Sequence, residues 1–281
     1  CPHRRRRLYH RICLAMALNG LILSAAFFWG TWAIPSEMEE IGYADMARGN
    51  WNTCEAQGFL IQYGFAVPCY YASLSLYSLL AVRNNFDQAK LAKYELWIHL
   101  ICNAAPLATA VVLQTKGMIN PGGAWCWMAR YPPDCQGDQC ERGGNVRSYM
   151  WGLGYGVMFF NLGFATFMMG VLYWTIQQRE RAGRVCVRGK MEVLEKAKRA
   201  RSRMVLCQAW QYLAAFYATY VMSIASRLVE TASGELNPTL HIISVTILPL
   251  QGFFYFLVYA RLRISRSEDS GKMRLSIVPN S

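Results

Sequence analysis

Between Gly58 and Val82 the chain runs for 25 residues without a charged side chain. As a helix rising about 1.5 Å per residue, such a run crosses a hydrocarbon layer of about 30 Å. It is led in by Asn50-Trp51-Asn52-Thr53-Cys54 and stopped at Arg83-Asn84-Asn85. A soluble helix would show polar residues on one face every turn or two. The same apolar theme recurs over 12–34, 96–113, 149–176, 204–228 and 240–260, so with 58–82 the sequence predicts six transmembrane helices. The expected fold is an all-α membrane protein: one polytopic helical domain over 1–263, followed by a polar, serine-bearing tail over 264–281 expected to be disordered. Pro68 is expected to bend the central span, because proline removes one backbone hydrogen bond.

The net charge of +12 has to be placed before it is interpreted. Segments 1–11, 83–95, 177–203 and 261–281 hold 23 of the 29 lysines and arginines, and the alternating connections hold the other 6. This asymmetry puts the basic segments, both ends of the chain and the tail in the cytoplasm. No basic stretch is interleaved with the aromatic platforms that nucleic acid would need, so membrane lipid is the expected partner of the charge. In the basic segment 177–203, Glu192 with Lys196 and Glu195 with Arg199 are four apart with the acid first, which predicts helix continuing below the membrane.

The ten cysteines follow the same sidedness. Cys54, Cys126, Cys135 and Cys140 fall in the outer connections, where disulfides persist. Four cysteines allow three pairings; the spacing of Cys135 and Cys140 permits a small local ring, which would leave Cys126 for Cys54. Cys13, Cys69 and Cys102 lie inside spans as small hydrophobes, and Cys1, Cys186 and Cys207 face the reducing side. No paired carboxylates, metal-spaced histidines or nucleophile constellation occur at one membrane level, so neither enzyme activity nor a metal or cofactor is expected. Asn19 and His99, polar at membrane depth, are read as hydrogen-bonding partners of neighbouring helices. Gly152 and Gly156 have the spacing of a helix-contact pair, a common pattern in spans.

Three stretches converge: Cys54-Glu55-Ala56-Gln57-Gly58, Gly123-Ala124-Trp125-Cys126-Trp127, and Leu248-Pro249-Leu250-Gln251-Gly252-Phe253-Phe254 with Val258-Tyr259. Together they resemble the G-protein-coupled receptors, nearest to the cyclic-AMP-receptor-like and secretin-like branch of protists and algae. The resemblance implies a signalling receptor of the plasma membrane that couples an extracellular ligand to a heterotrimeric G protein. It also implies a disulfide from Cys54 to Cys126, and a G-protein-facing surface to which Arg83, Lys198, Arg199 and Arg203 are assigned. It implies seven spans and an outer amino terminus as well; six spans with an inner terminus agree with that if one helix precedes Cys1. The acidic residue that precedes arginine in the rhodopsin-like branch is missing at Ala81-Val82-Arg83, and no lysine lies between Leu240 and Ala260 to hold a retinal. Depth and polarity alone nominate Gln62, Trp127, Arg227 and Gln251 as ligand contacts. The competing class is a small-solute transporter or channel, which should show carboxylates within the spans, broken helices in corresponding halves or internal repeats.

Overall fold

The computed structural model describes residues 8–133, 135, 137–185, 191–233 and 237–258, without the side chains of 182–185, 191–199, 201, 208, 230, 231 and 233. Seven principal helices carry the chain: α1 (Leu8–Trp29), α2 (Trp51–Tyr63), α3 (Ala66–Arg83), α4 (Glu95–Thr115), α5 (Gly156–Val185), α6 (Met191–Ser233) and α7 (Pro238–Ile247). Helix resumes over 251–258 after a single tight turn at Leu248–Leu250. With their short extensions, and with α2 and α3 taken together, they make six helices long and apolar enough to cross a membrane. The tail over 264–281, Cys1 and Cys186 lie outside the described residues.

The predicted single helix over 58–82 is two helices. α2 ends at Tyr63 and α3 starts at Ala66, with a turn at Gly64 and Phe65. Proline at 68 has no N–H to give to the carbonyl four residues earlier, that of Gly64, and its ring crowds the same atom. The Gly64 carbonyl instead accepts from the Val67 N–H at 3.0 Å. The bend therefore falls one turn before the proline.

This bent pair is the axis of the bundle. Within its spanning window 72% of the residues are buried, against 11% for the last span. α3 packs most extensively on α5 and also touches α1 and α6, while α2 lies against α4 and α1. The outward faces carry Leu14, Leu18, Leu21 and Phe28 on α1 and Phe253 and Phe256 on the last span, all more than half exposed. A continuous apolar perimeter of this kind is insoluble in water and matched by lipid.

At one end the connections make a second, smaller core of Ile34, Met38, Cys54, Ile119, Cys126 and Met128. A two-stranded hairpin builds it: β1 (Ile119–Pro121) pairs antiparallel with β2 (Cys126–Met128), with Asn120 opposite Trp127. The hairpin lies directly on α2 at Gly58, where a Cβ would come within 2.2 Å of Ile119 Cγ2. Only glycine fits there. α2 itself starts in a capping box: Asn50 Oδ1 accepts from the Thr53 N–H and Thr53 Oγ1 accepts from the Asn50 N–H.

Candidate functional site

Two disulfides close this end. Cys54, in the first turns of α2, is bonded to Cys126 of β2 across a sequence separation of 72, and Cys135 to Cys140 across 5. A second tie runs through Gln57, one turn along α2 from Cys54. Its Nε2 donates to the carbonyls of Ala26 and Gly30, the unsatisfied C-terminal end of α1, at 3.0 and 2.9 Å; its Oε1 accepts from the Cys126 N–H at 2.8 Å. Gly30 takes a left-handed φ of +54° to turn the chain off that helix. One side chain thus joins α1, α2 and the hairpin.

The hairpin is in this way held over a cavity between α1, α2, α3, α5, α6 and α7. One wall is apolar and aromatic: Leu23, Phe27, Ile61, Phe65, Trp125 and Trp127. Trp125 meets Phe27 edge-on at 4.8 Å, and Trp127 stacks on Phe65 at 6.1 Å. α6 and the last span contribute the polar side chains Ser223, Ser226, Arg227, His241, Ser244 and Gln251, interleaved with Tyr220, Val245 and Leu248. The non-atom space here, counted out into open solvent at the mouth, is about 760 Å³.

Of the four nominated ligand contacts, Trp127, Arg227 and Gln251 line this cavity. Gln62 is placed elsewhere: it is fully buried behind the aromatic wall. Its Oε1 accepts from the Trp127 indole N–H at 3.0 Å, and its Nε2 donates to Thr109 Oγ1 and to the Leu153 carbonyl at 3.0 and 3.2 Å. Leu153 lies in Met150–Tyr155, a π-helical turn ahead of α5, a local widening that often marks functional sites. Gln62 is a positioning residue for Trp127. Gln62→Leu is expected to lower ligand affinity several-fold through loss of the indole's orientation, with a modest loss of stability. Radioligand binding checks this, and unchanged affinity would show that the orientation of Trp127 does not matter.

Sequence reasoning missed Trp125, Ser223, Ser226, His241 and Ser244. A signal existed: His241, Ser244 and Gln251 follow one another at helical spacings of three and seven, and Tyr220, Ser223 and Arg227 at three and four, so each helix carries a polar stripe. Reading the two stripes as facing each other requires the fold.

At the opposite, basic end the helices are tied by arginines. Arg179 of α5 donates to the carbonyls of Val82 and Arg83 at 2.8 and 3.2 Å, capping the C-terminus of α3 with positive charge. The next residue, Glu180, receives both Nε and Nη2 of Arg203 of α6 at 2.6 and 2.7 Å. Arg83 ends α3 and Arg203 lies on α6, so two of the four residues assigned to the G protein sit at this end; the side chains of Lys198 and Arg199 lie outside those described. α6 starts at Met191, well before the apolar window that opens at Ser202. Asn19 donates to Asn103 Oδ1 at 3.4 Å, and Tyr70 is bonded to His99 at 2.9 Å, both inter-helix contacts as expected. Among the described residues no group of three or more His, Cys, Asp or Glu is placed to hold a metal ion.

Comparison with known proteins puts this multi-pass bundle among the transmembrane receptors. Residues 38–261 match the family model described as slime mold cyclic AMP receptor. The chain belongs to that family. A 99-residue stretch is also 27% identical to Cyclic AMP receptor 2 of Dictyostelium discoideum, covering 35% of this chain and 22% of that receptor.

Proposed function

We propose that this protein is a plasma-membrane receptor that takes cyclic AMP, or a small anionic heteroaromatic molecule like it, at its disulfide-bonded outer end. We further propose that it passes the signal to a heterotrimeric G protein at its basic inner end. The observation that carries the reading is a cavity lined by aromatic side chains from α1, the α2–α3 turn and the hairpin and by polar ones, Arg227 among them, from α6 and the last span. Such a lining suits a molecule with a flat ring system and an anionic group. The relative's name points to the same ligand. Trp127, Arg227 and Gln251 are the proposed contacts, and Arg83, Lys198, Arg199 and Arg203 the proposed G-protein surface. Ligand acts here by binding one of two bundle packings more tightly, and the shift is no larger than that difference in affinity.

A transporter reading has less support. The carboxylates of α2 and α4, Glu55 and Glu95, lie near helix ends and pair with Arg142 and Arg11 at 2.5 and 2.8 Å. The deciding experiment measures nucleotide exchange on purified G protein with the receptor in lipid vesicles, with and without cyclic AMP. Accelerated exchange is expected; cyclic AMP flux into the vesicles without exchange would make the protein a transporter.

A further inference from the structure

Two polar groups in the cavity wall are unmatched. Gln251 is fully buried; its Oε1 accepts from the Tyr220 hydroxyl at 2.6 Å, but its Nε2 has no hydrogen-bond partner among the described residues. Ser226 is 2% exposed, and its Oγ is likewise without one. Ser223, in the same wall, is bonded to Ser244 at 2.6 Å. A buried polar group left unpaired costs about 1–3 kcal/mol, and a wall that pairs one serine and leaves its neighbour unpaired asks for an explanation. Both unmatched residues line the cavity.

Their heights differ. Ser226 stands six residues past Tyr220 on α6, about 9 Å further toward the disulfide-bonded end at the helical rise. It adjoins Arg227, and Gln251 is held at the level of Tyr220. We propose that Ser226 and Gln251 are the two ends of one donor seam along which the ligand lies upright. An anionic oxygen sits at Ser226 and Arg227 near the mouth, and a neutral acceptor about 9 Å deeper takes the Gln251 Nε2–H. This rests on the ligand reading of the cavity and adds the ligand's orientation and the spacing of its acceptors. Both donors are shielded in the packing described here, so a ligand that engages them selects a packing in which the seam between α6 and the last span has opened. That is the differential contact a population shift requires.

The test uses the full chain in lipid nanodiscs, measuring ligand-free thermal unfolding and binding of radiolabelled cyclic AMP. Ser226→Ala is expected to leave the ligand-free melting temperature unchanged or raised, because it deletes an unpaired hydroxyl. Ser223→Ala, which deletes a paired one, lowers it. Ser226→Ala and Gln251→Met are each expected to weaken cyclic AMP binding about tenfold, the effect of one lost hydrogen bond to a charged or buried partner. Gln251→Met also unpairs Tyr220, so the serine variant is decisive. A fall in ligand-free melting temperature for Ser226→Ala makes that hydroxyl structural and overturns the proposal, as does unchanged cyclic AMP affinity in Ser226→Ala, whatever Gln251→Met does. A wild-type protein that binds no cyclic AMP overturns the ligand reading and the orientation built on it, an outcome distinct from binding that Ser226→Ala leaves unchanged.

Discussion

A receptor carrying Cys54→Ser and Cys126→Ser together is expected to unfold about 10 °C below wild type and to accumulate in the membrane at a small fraction of its normal level. The reason is the length of chain the bond closes, 72 residues. In the chain-entropy picture a loop of that length restricts the unfolded ensemble by about 4 kcal/mol, and at this chain size each kcal/mol moves the midpoint by about 2–4 °C. Cys135 and Cys140 close a separation of only 5, and the same relation gives about half the effect. Replacing both members of a pair prevents the orphaned thiol from mispairing. Equal losses from the two double variants, or none from the first, would show that the hairpin is held by something other than this bond.

Gln57→Leu is expected to be nearly as damaging, although it breaks no covalent bond. Leucine fills the same space but leaves the carbonyls of Ala26 and Gly30 and the Cys126 N–H without the partner they have now. Three backbone groups stranded in a buried joint cost on the order of 3 kcal/mol or more. Gln57→Glu keeps the acceptor for Cys126 while losing both donors, and should fall between Gln57→Leu and wild type. Because Gln57 and the disulfide secure the same contact between α2 and the hairpin, their effects should not add. Fully additive losses in a double-variant cycle followed by thermal unfolding would mean that the two ties are independent.

The spans were legible because a bilayer demands length and the absence of charge, and both are local properties of the chain. Gly58 to Val82 shows this, and so does the sorting of arginines away from the cysteine-bearing connections. The bend at Gly64 was half legible: proline announced it, and the position of the carbonyl it crowds put it one turn earlier. Gln57 was not legible at all. A glutamine near a helix start reads as solvated polarity until α1 and the hairpin bring three backbone groups to its amide. Gln62 was chosen for polarity at depth, and the fold turns it away from the cavity to hold Trp127. The hairpin hid in a loop singled out only by its cysteines and its tryptophans, since strands of three residues have too little periodicity to show.

What the sequence by itself determined is the number of crossings, the basic and cysteine-bearing sides and the four cysteines from which the hairpin end is tied, though not their pairing. Each follows from a rule the chain obeys segment by segment against water or lipid. What only the tertiary structure decided is which side chains meet: the polar stripe of α6 against that of the last span, the tryptophans of the hairpin against Phe27 and Phe65, and Gln251 bonded to Tyr220 on one side only. Helix rotation and packing choose those partners. Periodicity marks the face of a helix but carries no information about which other face it will touch.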